Sequence, residues 1–83
     1  MDLKHLFGKN VKFYRYNKKY TQEVLAEKTG ISVNYLGRLE RGKHSVDFDV
    51  IQKLAKNLDI EPHELFVKIE DKKLPRRVDM NDK

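Results

Sequence analysis

Apolar residues recur at spacings of three and four almost throughout the chain, and strand-like alternation is absent, so the pattern reads as helices. Leu3, Leu6, Phe7, Val11 and Tyr14 form one stripe and predict a first helix over 3–17, with lysines on its other faces. Thr21 is placed to start a second helix by accepting an orphan amide hydrogen bond; Leu25 and Ala26 point inward, and the helix ends near Thr29-Gly30. Ser32 opens a third, which runs to Arg41 and stops at Gly42. Asp47 caps a fourth, with Asp49 in its first turn set favourably against the helix dipole. Its inward stripe is Phe48, Ile51, Leu54, Ala55 and Leu58. Pro62 suits the first position of a short fifth helix, where its missing N–H would be unpaired anyway, and Leu65, Phe66 and Ile69 extend that apolar face. The expectation is an all-α domain of five short helices over 1–70. Beyond Glu70 the apolar content falls, and 71–83 reads as a basic, frayed tail.

Composition narrows the function classes. At 83 residues the chain is one small domain with a thin core and no room for a deep catalytic cleft. With no cysteine it forms no disulfide, thiolate zinc site or thiol nucleophile. His5, His44 and His63 are scattered without a paired spacing, so no metal is expected. Residues 37–43 imitate a GxxxxGK phosphate loop, but His44 follows where Ser or Thr is needed and no strand precedes it. The expectation is a non-enzyme without a cofactor. No apolar run approaches the roughly 18 residues of a membrane span, and the opening Met1-Asp2-Leu3-Lys4-His5 lacks the apolar stretch of a signal peptide, which points to a cytoplasmic protein. The net charge of +5 is spread along the chain: residues 1–66 carry twelve basic and nine acidic side chains, residues 67–83 six and four. A basic domain suits a polyanionic partner, and the placement of the positive residues decides more than their sum.

The informative stretch is Gln22 to Arg41. Two short helices joined by a tight turn need a small residue where they cross, which Ala26 supplies, and a residue that tolerates positive φ in the turn, which is Gly30. Leu25, Ile31, Leu36 and Leu39 are placed to lock the second helix down, and Ser32 caps it just after the turn. With Leu36 and Leu39 inward, the outward face of the helix over about 32–41 is Val33, Asn34, Gly37, Arg38 and Arg41. The major groove of B-DNA, about 12 Å wide, admits one helix. Arg38 can pair with guanine O6 and N7, Asn34 with adenine N7 and N6, and Val33 can touch a thymine methyl. Gly37 removes a side chain where helix and bases would approach most closely.

Residues 8–66 resemble the helix-turn-helix domain of phage-repressor, Cro/Xre-type regulators. The likeness rests on Thr21-Gln22-Glu23, Leu25-Ala26, Gly30-Ile31-Ser32, Tyr35-Leu36, Leu39 through Lys43, Leu54-Ala55-Lys56 and Glu64-Leu65-Phe66. It implies a bacterial or phage transcription regulator, binding double-stranded operator DNA as a homodimer through a helix in the major groove. By the same likeness Thr21, Gln22 and Ser32 meet phosphates at helix N-termini, Val33, Asn34 and Arg38 face bases, and Arg41 and Lys43 lie along the backbone. Tyr35 either packs on the fourth helix or meets a phosphate. Arg15 and Glu40 match the family's buried arginine–glutamate pair. Leu65, Phe66 and Ile69 either complete the core or form a two-fold dimer patch. Another use of the same fold is a protein-interaction module, an antitoxin or adaptor bound through helix five or the tail. Three departures stand out: Lys19-Tyr20 where a glycine is common, Val24 in place of a capping-box glutamate, and His44-Ser45-Val46 in place of a proline-bearing loop.

Overall fold

Four α-helices and one 3-10 helix follow one another in the computed structural model, which describes residues 2–69. They are α1 (Leu3–Asn17), α2 (Gln22–Thr29), α3 (Val33–Glu40), α4 (Phe48–Leu58) and the 3-10 helix Pro62–Phe66. The tail over 71–83, including the basic run Lys72-Lys73 and Arg76-Arg77, lies outside the described residues.

Each α-helix starts on a side-chain oxygen that accepts one of the amides left unpaired at a helix N-terminus. Asp2 accepts from the Lys4 amide at 3.1 Å, Thr21 from Val24 at 3.1 Å, Ser32 from Tyr35 at 3.0 Å and Asp47 from Val50 at 2.9 Å. The third helix is one residue shorter at each end than the sequence expectation, because Ser32 and Arg41 are its caps. The four α-helices also end alike. A residue with φ between 59° and 76° lets the next amide reach back to a carbonyl five residues earlier. Gly30 and Gly42 take this left-handed conformation without strain, whereas Lys19 (φ 60°) and Asp59 (φ 59°) take it with a Cβ in place. The missing glycine noted at Lys19-Tyr20 is therefore met by a lysine held in the glycine's conformation.

α1 packs on α3 and on the 3-10 helix, and α2 packs on α3 and α4. Between them sits a core of Phe7, Val11, Leu25, Ala26, Leu36, Leu39, Ile51, Leu54, Ala55, Leu58 and Leu65. Asn10 is fully buried and joins two elements: its Nδ2 donates to the Leu6 carbonyl at 2.9 Å and to the Leu65 carbonyl at 3.0 Å.

Two expectations are corrected, and one of two alternatives is selected. The fifth helix is a 3-10 helix of five residues that gives way to extended backbone at Val67, too short to build an α-helical ladder. Leu3 and Phe48, assigned to inward stripes, are 59% and 83% exposed. Each is the first residue of its helix, beyond the layer that covers the rest of its stripe. Leu65 belongs to the core at 0% exposure, so it completes the interior and offers nothing to a dimer patch. Phe66 is 37% exposed, with its ring 5.4 Å from that of Phe7, and Ile69 is half-buried.

Candidate nucleic-acid interface

The geometry of this region starts from how α2 and α3 are held. Gly30 turns the chain between them, and the Ile31 amide reaches the Ala26 carbonyl at 3.0 Å. Leu25, Ala26, Leu36 and Leu39 are buried on the shared side. α3 is further fixed from behind by α1. Gly8 meets the last turn of α3 so closely that a Cβ there would collide with the Leu39 carbonyl and stand 2.7 Å from that of Glu40.

Beneath the start of α2 lies a buried ion pair. Arg15 Nε donates to Glu40 Oε2 at 2.7 Å and Arg15 Nη2 to Glu40 Oε1 at 3.0 Å, with the two side chains only 8% and 3% exposed. Arg15 Nη1 donates to the Tyr20 carbonyl at 3.0 Å, and Gln22 Nε2 donates to Glu40 Oε1 at 2.9 Å. The guanidinium and carboxylate thus have bidentate geometry with further partners, the arrangement that makes a buried pair tolerable. It also ties Gln22, at the first position of α2, to the end of α3.

Turned away from all this, Val33, Asn34 and Arg38 are exposed on α3, and Arg41 and Lys43 are exposed just beyond it. Among the described residues, Asn34 and Arg38 enter no ion pair and no side-chain hydrogen bond. Gly37 differs from its neighbours on this face: it is buried, and the Arg41 guanidinium lies over it. Thr21 and Ser32 spend their hydroxyl oxygens on helix caps, and the first amides of α2 and α3 have no helical acceptors. Tyr35 is half-buried against the core; its hydroxyl donates to the Ser45 carbonyl at 3.4 Å and its ring stands edge-on to His44 at 5.2 Å. Burial, with the Asp47 carboxylate as a lesser cause, raises its phenol pKa. Lys18 is drawn to Asp59, with Nζ 2.5 Å from Oδ2, and that bond raises its pKa. No group of three or more metal-ligating side chains gathers among the described residues, and no helix there is long and apolar enough to cross a membrane.

Gly8, Asn10 and the Gln22–Glu40 bond are the structural contributors that sequence reasoning missed. Gly8 alone carried a signal, since a glycine inside a helical stripe costs about 1 kcal/mol against alanine and calls for a packing reason.

Residues 11–65 match the Helix-turn-helix family HTH_3. The chain belongs to this family, whose members here are of the Xre type. It is 40% identical over 60 residues to the uncharacterized HTH-type transcriptional regulator YazB of Bacillus subtilis, a match that covers 72% of this chain and 87% of YazB. It is 37% identical over 59 residues to the control protein C.SmaI of Serratia marcescens, covering 71% and 70% of the two chains. The crystal structure of the restriction-modification controller protein C.AhdI from Aeromonas hydrophila superposes with a TM-score of 0.73 at 43% identity, over 76% of this chain and 96% of that one. Within the matched residues lie α2 and α3, joined at Gly30, with the exposed Asn34 and Arg38 on α3.

Proposed function

We propose that the protein is a sequence-specific regulator of transcription that lays α3 in the major groove of double-stranded DNA. The observation that carries this reading is the exposed Asn34–Arg38 ridge on a helix whose opposite side is locked into the core. Arg38 reads guanine, Asn34 adenine and Val33 a thymine methyl. The amides that open α2 and α3, with Arg41 and Lys43, take phosphates and set the register of the helix on the duplex. Relatives named as HTH-type transcriptional regulators and as control proteins of restriction-modification support the same reading.

The protein acts as a homodimer on two half-sites about 34 Å apart, because one short helix in one groove gives modest affinity and a second adds avidity. Support for a partner surface comes from Leu3, Phe48 and Phe66, which stand exposed around one largely apolar groove that Val46 and Ile51 also line. Phe48, rather than Leu65, is the anchor of this surface.

Selection of bound sites from random duplex DNA, with mass measurement of the complex, tests both parts. The expected result is a two-half-site sequence carrying two chains. Affinity should fall about 10³–10⁵-fold between 50 and 200 mM salt if the dimer covers roughly 6–10 phosphates. A protein that works only as an adaptor for another protein would bind no duplex in the micromolar range even at low salt.

A further inference from the structure

Gly37 poses a question that base reading does not answer. It lies on the side of α3 that carries Asn34 and Arg38, yet it is buried. The core does not cover it. The atoms nearest to where its Cβ would stand are Arg41 Nη1 at 3.3 Å and Gln22 Nε2 at 3.9 Å. The Arg41 amide bonds to the Gly37 carbonyl at 3.1 Å, so the two residues are one turn apart. A long side chain on a helix leans back over the preceding turn, which carries Arg41 across position 37. The other neighbour of that position, Gln22, is held by Glu40 at 2.9 Å, which Arg15 in turn holds. The guanidinium therefore lies over a surface that adjoins the buried Arg15–Glu40 pair through Gln22.

We propose that Gly37 is a positioning residue for Arg41: the missing side chain leaves a seat that the guanidinium occupies, holding its charge on the side of α3 nearest Gln22. A flexible arginine loses rotamer freedom when it grips a phosphate, and one already seated loses less. A Cβ at position 37 would stand 3.3 Å from Nη1, closer than ordinary van der Waals contact, so the guanidinium would have to shift off its seat by a few tenths of an ångström. A glycine inside a helix is unfavourable relative to alanine, so the position gives up helix stability for this placement. The inference rests on α3 being the DNA-facing helix, and it replaces close approach to bases as the reason for glycine at 37.

The test uses the full chain with Gly37→Ala, Arg41→Ala and the double variant. Nitrogen-15 relaxation at the arginine Nε positions of the free protein should show Arg41 more restricted than Arg38, and Gly37→Ala should release Arg41 to the level of Arg38. Titrated into a duplex chosen by selection from random DNA, Gly37→Ala should weaken binding about 2–5-fold, the scale of one exposed charge contact. It should add no loss in the Arg41→Ala background. Its melting temperature should hold or rise, which separates the effect from misfolding. Arg41 as mobile as Arg38 in the native protein would overturn the seat. So would a Gly37→Ala loss that persists without Arg41, since residue 37 would then meet the duplex itself. Failure of the native protein to bind any duplex would remove the DNA-facing reading of α3 and this inference with it; binding with additive variants removes the seat alone.

Discussion

Gln22 Nε2 donates to Glu40 Oε1 at 2.9 Å, joining the surface at the start of α2 to a carboxylate that is buried against Arg15. Through this bond the position of α2 relative to α3 depends on an ion pair and not on apolar contact alone. Removing the carboxylate strands the Arg15 guanidinium in the interior, a loss of about 3–5 kcal/mol. Glu40→Ala should therefore lower the melting temperature by well over about 10 °C for a domain of this size. Thermal unfolding followed by circular dichroism reads this directly, and an unchanged midpoint would count against the packing.

Gly8 makes a second, opposite kind of demand. Its Cα faces the Leu39 and Glu40 carbonyls across the α1–α3 crossing, where a Cβ has no room and the obstacle is backbone. Alanine is the better helix former by about 1 kcal/mol, yet Gly8→Ala should destabilise the protein by roughly 1–3 kcal/mol as α1 is pushed off α3. Chemical denaturation measures the sign. A stabilised variant would show that the two helices do not approach so closely.

Much of this was legible before any coordinates, and the reason is local. Thr21, Ser32 and Asp47 announce helix starts by chemistry that acts within three residues, and Gly30 and Gly42 announce ends in the same way. The inward placement of Leu36 and Leu39 fixes by geometry which residues of α3 face out. What escaped were effects set by distant parts of the chain. A stripe does not say where its covering layer stops, so the pattern points Leu3 and Phe48 inward although both face solvent. Asn10 is placed by the Leu65 carbonyl 55 residues away, and Gly8 by carbonyls more than 30 residues on. Spacing puts Gly37 on the outward face, but its cover by Arg41 depends on a side-chain path that spacing alone does not reveal.

Lys19 holds φ 60° at the end of α1. A left-handed conformation costs a residue with a Cβ about 1–2 kcal/mol, while glycine gives back part of that through its more flexible unfolded chain. Lys19→Gly should therefore stabilise the protein by roughly 0.5–1 kcal/mol, seen as a rise of a few degrees in the melting midpoint. Lys19→Val, which is β-branched, should move it the other way.

Tyr14 gives the alkaline limb of stability a sign. Its hydroxyl donates to Glu64 Oε1 at 3.2 Å, and burial, with that carboxylate as a further cause, pushes its pKa up to about 12 from an ordinary 10.0. The unfolded chain thus releases this proton first. The contribution is fully present below about pH 10 and is lost as pH rises through about 12. Urea midpoints measured across that window should fall less steeply for Tyr14→Phe than for the native protein, and parallel slopes would contradict the assignment.

The central claim is that α3 reads base edges through Arg38, and selection from a randomised duplex pool with native protein and Arg38→Ala in parallel tests it most directly. The native protein should enrich a motif with a guanine preference that the variant loses at one base pair in each half-site, by about 1–3 kcal/mol, while preferences elsewhere stay. An enriched motif identical for both proteins, or no enrichment for either, would contradict it.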